Sequence, residues 1–221
     1  VFVLTGTASA FRARGLRTIA DSRGTALPGR RGDVYDTAAL TEDNELTLAL
    51  KSLGGLMVSP TECSVVTEVM PTWKQLWHQR LRWQRGALEN LGAYGVTPQT
   101  TRYWFQQLGI GYGAIALSAY LVLIGITILA SDEWIWYPFW MTLGLLFMIE
   151  RVVTVWRSTL FARFVAALLL PELVYATFLN LVFLKGVFDI LLMKKASWGE
   201  SDADVSGEAA VAQPDGGGEG R

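Results

Sequence analysis

The chain has 221 residues, of which 51% are hydrophobic and nine are tryptophan. This composition, with a mean hydropathy of +0.30, favours a membrane protein over an ordinary soluble domain. A formal net charge of −1 gives no overall attraction to nucleic acid. The single cysteine excludes an intrachain disulfide. The single histidine argues against a self-contained zinc site.

Residues 1–7 predict a buried strand, because the run VFVL is uniformly apolar and a threonine–glycine–threonine turn follows it. Gly6 in that turn, beside Thr7, permits close approach of a ligand to the backbone. A domain rarely begins inside its own core, so this start predicts the C-terminal portion of a longer polypeptide.

Residues 8–20 predict a short helix, and residues 21–36, rich in glycine, proline, arginine and aspartate, predict a loop. The helix would expose Arg12, Arg14 and Arg17. Two interpretations of this basic cluster stay open: a solvated surface, or contact with a phosphate or an anionic lipid.

Residues 44–53 predict a helix from the spacing of four apolar residues, Leu46, Ala49, Leu50 and Leu53. Thr41 or Asp43 is the expected N-cap, and acidic residues in a first turn suit the helix dipole. Capping by itself would explain the acidic pair Glu42 and Asp43. The functional alternative is that a carboxylate at a helix entrance, facing a cleft, serves as a general base.

Residues 56–60 and 63–70 predict two further strands, since the second is rich in valine and has few breakers. Residues 1–95 are therefore expected to mix α and β structure and to be soluble in character.

The helix predicted over residues 73–91 has two different sides. One side is apolar and carries Trp73, Leu76, Trp77, Leu81, Leu88 and Leu91. At about 100° per residue, the nearly opposite side carries Gln79, Arg82 and Trp83. Such a helix can lie on a membrane or an apolar partner while it holds a polar, anionic or sugar-like ligand.

Residues 108–130 and about 135–155 predict two membrane-spanning helices. Charges segregate around this hairpin: only acids lie in the turn at 131–134, and the opposite side carries Arg102, Arg151, Arg157 and Arg163. By the positive-inside rule, residues 1–100 face the cytoplasm, in a multi-pass protein of the inner or plasma membrane.

A third apolar stretch, residues 164–193, is interrupted early by Pro171 and Glu172. Glu172 either lines a passage or lies near an interface after a kink at the proline, so the number of crossings after residue 160 stays open. Residues 196–221 are acidic, glycine-rich and poor in large apolar groups, which predicts a disordered tail.

The triplet TED at residues 41–43 and the pattern Q-x-x-R-W at residues 79–83 resemble two signatures of the processive, membrane-bound family 2 glycosyltransferases, such as cellulose, chitin, hyaluronan and poly-N-acetylglucosamine synthases. The segment VLTGTA at residues 3–8 is similar to the part of that family that lines the acceptor side. The resemblance implies an α/β fold, with a partial GT-A-like catalytic domain over residues 1–95 and an α-helical transmembrane region over residues 96–195.

The resemblance also implies roles for the matching residues. Asp43 would be the catalytic base that takes the proton from an acceptor hydroxyl as it attacks a nucleotide-activated sugar, with Thr41 and Glu42 shaping the helix entrance. Trp83 would stack on an acceptor sugar, and Gln79 and Arg82 would steady the diphosphate or the acceptor, since a guanidinium matches phosphate oxygens. The substrate-binding residues would be Gln79, Arg80, Arg82, Trp83, Gly6 and Thr7.

In the family, acidic motifs that precede TED, including a D-x-D, hold the nucleotide sugar and a divalent metal, Mg²⁺ or Mn²⁺. No D-x-D precedes Thr41 in this sequence. The metal ligands are therefore expected outside the chain, which by itself is expected to be inactive. The expected partners are a nucleotide-sugar donor, a polysaccharide acceptor and the lipid bilayer, with no nucleic acid.

Two alternatives accompany the hypothesis of an enzyme that extends a β-linked polysaccharide. A non-processive relative would transfer one sugar to a lipid, although Q-x-x-R-W accompanies chain elongation in the family. A non-catalytic membrane scaffold would use the helix at 73–91 only as an anchor, although the two-sided placement of Gln79, Arg82 and Trp83 disfavours this.

Overall fold

A computed structural model describes residues 2–60, 62–130 and 137–194. Within these residues the chain forms seven α-helices: α1 (Ala13–Ser22), α2 (Glu42–Ser52), α3 (Trp73–Tyr94), α4 (Thr101–Ala130), α5 (Pro138–Thr154), α6 (Leu160–Ala167) and α7 (Leu170–Leu191). The predicted acidic turn at 131–134 and the predicted disordered tail at 196–221 lie outside the described residues.

The predicted α/β, partial GT-A-like fold is wrong for the part of the chain that the structure describes. Residues 2–7, 56–60 and 63–70, predicted as strands, are irregular. Elsewhere in the described residues, Arg23 and Leu27 form an isolated β-bridge. A strand needs a neighbouring strand to satisfy its backbone groups. Here the valines of 63–70 stay in solvent, since Val66 is 98% and Val69 86% exposed.

The helices expected from apolar periodicity are confirmed with small shifts. Helix α2 begins directly after Thr41, which is therefore its N-cap residue. Helix α3 begins at Trp73 because the side chain of Thr72 accepts a hydrogen bond from the backbone N–H of Gln75. Helix α1 begins at Ala13, five residues later than predicted.

The described chain divides into two compact units, one with residues 2–104 and 186–194 apart from residue 61, the other with residues 105–130 and 137–185. The predicted domain boundaries at residues 95 and 195 stay predictions. In the first unit, α2 contributes to two small cores. One contains Ile19, Leu27, Leu46 and Ala49, and the other contains Leu48, Leu91 and Tyr103. The first unit is thus packed around α2.

Helices α4 and α7 are long and apolar enough to cross a membrane, by length and composition. Only 6% of the most apolar window of α4 is buried, whereas the core helix of a soluble protein would be mostly covered. These two helices suggest membrane association. Helix α5, in the predicted span 135–155, has 17 residues, or about 25 Å of helix.

The third apolar stretch is divided into α6 and α7 at Leu169, which has a φ of +53°. Helix α7 then begins at Leu170, and Pro171 lies in its first turn, where the missing N–H of proline is tolerated. The guanidinium of Arg151 on α5 pairs with Glu172 at 2.6 Å. The helix is therefore interrupted just before Pro171, and α7 begins beside the ion pair of Arg151 and Glu172.

Candidate functional site

Thr41 joins the entrance of α2 to α3. Its side chain makes no capping hydrogen bond to α2. Instead, the amide of Asn90 on α3 donates to both the carbonyl oxygen and the Oγ1 of Thr41, each at 3.2 Å. Both residues are buried. The first residue of the TED triplet thus holds two helices together.

Gly86 of α3 lets the two helices approach this closely. A Cβ atom at Gly86 would lie 2.6 Å from Oγ1 and 2.8 Å from Cγ2 of Thr41, and 3.2 Å from Cβ of Leu40. Such distances are well inside van der Waals contact. The α2–α3 contact therefore requires a residue without a side chain at this position.

Asp43 lies half-buried in the first turn of α2, and its Oδ1 accepts a hydrogen bond from the backbone N–H of Asn44 at 2.7 Å. Its other carboxylate oxygen faces Gly6, where a Cβ atom would lie 3.3 Å from Oδ2. The neighbouring segment is fixed because Leu4 N donates to Thr47 Oγ1 at 2.9 Å. The structure thus places the Gly6 turn against the carboxylate.

Glu42 and the turn at residues 5–7 lie at the start of α2, near Asp43. Glu42 is exposed at the start of α2. The hydroxyls of Thr5 and Thr7 hydrogen-bond to each other at 2.5 Å, on an exposed turn. The surroundings of Asp43 are therefore polar and reachable from solvent, as a base that meets a sugar hydroxyl requires.

Gln79, Arg82 and Trp83 lie on the face of α3 that contacts the entrance of α2. At about 100° per residue, these three residues fall within an arc of roughly 100° that also contains Gly86 and Asn90. By the helical rise, Trp83 lies about 4.5 Å and Gln79 about 10 Å from Gly86 along the axis. Q-x-x-R-W thus lies on the α3 face that Thr41, the first residue of TED, contacts.

Trp83 presents a partly open indole, with 44% of its surface exposed. The guanidinium carbon of Arg80 lies 4.6 Å from its ring centroid, a cation–π contact that fixes the ring. Arg80 Nε is buried with no hydrogen-bond partner within the described ranges. Gln79 and Arg82 are partly buried.

The apolar side of α3 is covered in part by protein. Leu91 is buried in the core with Leu48 and Tyr103. Leu81 Cδ1 would lie 3.6 Å from a Cβ atom at Gly186, near the end of α7. Trp73, at the start of the helix, remains 61% exposed.

Sequence analysis missed a buried charge cluster beside the TED triplet. Arg23 is fully buried, and its guanidinium pairs with both carboxylate oxygens of Glu45 at 2.8 Å. Tyr94 of α3 donates its hydroxyl to Glu45 Oε1 at 2.5 Å. The signal in the sequence was Glu45 itself, a charge one helical turn before Ala49 of the core.

The cluster keeps its protons in the folded chain. Burial and then the hydrogen bond to Glu45 raise the pKa of Tyr94 above its ordinary value. Burial by itself would lower the pKa of Arg23, but the hydrogen bonds and charge of Glu45 outweigh it and raise that pKa. The phenol therefore stays neutral and the guanidinium stays charged.

The described residues hold no cluster of metal-ligating side chains. Within residues 2–60, 62–130 and 137–194, no group of three or more His, Cys, Asp or Glu side chains could hold a metal ion. The divalent metal expected for the full-length enzyme, with ligands outside the chain, stays a prediction.

Comparison with known proteins identifies the family. No curated protein and no solved structure matches the chain. The sequence model of the family described as Glycosyl transferase family group 2 matches residues 1–184. This match covers most of the 221 residues and both signature motifs. The chain therefore belongs to glycosyl transferase family group 2 and is a glycosyltransferase, an enzyme that moves a sugar from a nucleotide-sugar donor to an acceptor.

Proposed function

We propose that this glycosyltransferase extends a β-linked polysaccharide at a membrane, with Asp43 as the general base. The observation that supports this proposal best is the placement of Gln79, Arg82 and Trp83. They share the α3 face that contacts the start of α2 through Gly86.

The proposed reaction uses Oδ2 of Asp43, the carboxylate oxygen that faces Gly6. An acceptor hydroxyl in hydrogen-bond reach of Asp43 attacks the anomeric carbon of the donor and gives its proton to the carboxylate. The bond from the anomeric carbon to the nucleoside diphosphate breaks, and the diphosphate leaves with the bonding electron pair. Thr41 holds the start of α2, the helix that carries Asp43, against α3, and Glu42 is the residue next to Asp43.

The face of α3 supplies the binding groups for acceptor and leaving group. The open side of the Trp83 indole stacks on the apolar face of a pyranose, since Arg80 covers its other side. Arg82 and Gln79 offer a guanidinium and an amide to the diphosphate or the acceptor. A polar ligand group at this position would also satisfy Arg80 Nε. Gly6 and Thr7 border the acceptor.

Replacing Trp83 with alanine tests the stacking role. We expect acceptor binding to weaken about tenfold, the effect of a lost contact of roughly 1.4 kcal/mol, and the product chains to shorten. The measurement is the length distribution of polymer made from labelled nucleotide sugar by membranes that contain the full-length protein with this substitution.

The matched control is Trp73→Ala, ten residues earlier on the same helix and also exposed. This variant should leave the length distribution unchanged. Normal polymer length from Trp83→Ala would contradict stacking. A product that consists of a lipid carrying a single sugar would support the non-processive alternative instead.

The proposed topology places the catalytic part in the cytoplasm of a multi-pass membrane protein. Helices α4 and α7 support a bilayer location by length and composition. The arginines Arg102, Arg151, Arg157 and Arg163 support the orientation.

Cys63 provides a native test of this orientation, because it is the only cysteine of the sequence and is exposed. A membrane-impermeant maleimide should label it in inside-out vesicles and leave it unlabelled in intact cells. The control is Cys63→Ser, which should take up no label in either preparation. Labelling in intact cells would place this part of the chain on the outside and contradict the topology.

A further inference from the structure

The first turn of α2, which carries Asp43, is held at both of its ends. At one end, Thr41 is tied to α3 through Asn90. At the other end, Glu45 is tied to Arg23 and to Tyr94. Asp43 lies midway between the two attachments, on the same turn of helix.

At the Glu45 attachment, the guanidinium of Arg23 uses all of its hydrogen-bond donors. All five guanidinium N–H groups of Arg23 have acceptors, because Nε donates to Asp33 O, Nη1 to Pro28 O and Glu45 Oε1, and Nη2 to Val34 O and Glu45 Oε2, at 2.8–2.9 Å. The planar fork of arginine fixes both distance and orientation of the carboxylate it grips. Arg23 thus joins the end of α1 and the loop over residues 28–34 to α2.

The hydroxyl of Tyr94 adds a third direction of restraint. It reaches Glu45 from α3, the helix that also carries Gln79, Arg82 and Trp83. Rotation or sliding of α2 along α3 would break this bond and the two bonds from Asn90 together. The position of the first turn of α2 against α3 is therefore set by these contacts.

We infer that Arg23, Glu45 and Tyr94 are positioning residues for Asp43, which hold the base at a fixed distance from the acceptor-binding face of α3. This inference rests on the proposed function, because it takes Asp43 to be the base. None of the three contacts the reacting atoms. Their effect on the reaction comes through the orientation of the first turn of α2.

A positioning role predicts a particular kinetic pattern. Misplacement of a catalytic group by about 1 Å can cost about a hundredfold in rate. Loosening the turn should therefore lower kcat while the KM for the nucleotide sugar, which Asp43 does not bind, stays the same. A merely structural role would lower the amount of inserted protein and leave the kcat of the surviving molecules unchanged.

The mildest test is Tyr94→Phe, which removes one hydroxyl and keeps the ring that packs in the core. We expect kcat to fall about fivefold to twentyfold, with the KM for nucleotide sugar within about twofold of the original. The matched control is Tyr35→Phe, the same change on a tyrosine that is 44% exposed, and it should leave both constants unchanged. The amount of membrane-inserted protein is measured for each variant.

A second pair of variants separates the charge of Arg23 from its geometry. Arg23→Lys keeps a positive charge beside Glu45 but has three donors in place of five, whereas Arg23→Met keeps neither. We expect kcat per inserted molecule to fall for both, with the lysine variant about tenfold faster than the methionine variant. Equal values for the two variants would overturn the role of the Arg23–Glu45 pair.

Asp43→Asn, measured in the same assay, separates a failure of the positioning inference from a failure of the proposed base. If Asp43→Asn is inactive while Tyr94→Phe has an unchanged kcat, the positioning inference fails and the proposed base stands. If Asp43→Asn retains near-normal activity, the proposed base fails, and the inference with it. A lowered kcat for Tyr94→Phe with unchanged KM, beside an inactive Asp43→Asn, supports both.

Discussion

Replacing Asp43 with asparagine should lower sugar transfer by about 10²- to 10⁴-fold, the usual contribution of general base catalysis. Asparagine has the same shape and can still accept the hydrogen bond from the backbone N–H of Asn44, which Asp43 Oδ1 accepts at 2.7 Å. It cannot take a proton from the acceptor hydroxyl. The measurement, on the full-length protein in membranes, is the initial rate of transfer from labelled nucleotide sugar, together with the KM for that donor, which should change little.

Asp36→Asn is the matched control for this prediction. Asp36 is also half-buried, and its Oδ1 accepts a hydrogen bond from the backbone N–H of Ala38 at 3.0 Å. The same chemical change there should leave transfer within about twofold of the original, since Asp36 is not among the residues proposed for catalysis or binding. Transfer by Asp43→Asn at a rate equal to that of Asp36→Asn would refute the assignment of the base.

The second large effect is expected from Gly86→Ala. The added methyl group would lie 2.6 Å from Oγ1 of Thr41, a buried residue also held by Asn90, so α2 and α3 must separate. Overpacking of this kind costs about 1–3 kcal/mol of stability. It should also lower transfer, because it moves Asp43 away from the face of α3. Unfolding of the detergent-solubilised protein and the transfer rate measure the two effects.

Gly92→Ala provides the comparison on the same helix. A Cβ atom at Gly92 would have no neighbour within 4 Å among the described atoms. Alanine is a better helix former than glycine by about 1 kcal/mol, so this variant should be as stable as the original or more so. If Gly86→Ala were equally stable and active, the close contact of α3 with Thr41 would not be required.

Local patterns in the sequence predicted the helices because helical contacts join residues a few positions apart. The spacing of Leu46, Ala49 and Leu53 predicted α2, and uninterrupted apolar composition predicted α4. The same reasoning failed for residues 56–60 and 63–70. Strand formation depends on a partner elsewhere in the chain, and a local run of valines carries no information about that partner.

The sequence by itself indicated family 2, through TED and Q-x-x-R-W, and the family match over residues 1–184 confirmed that family. The residues proposed for catalysis also came from the sequence. Only the tertiary structure decided how these motifs are held. Gly86 is significant because Thr41 lies against it, and Arg23 because Glu45, 22 residues later, accepts its hydrogen bonds. Such contacts join residues far apart in the chain, so burial and distance reveal them where spacing and composition do not.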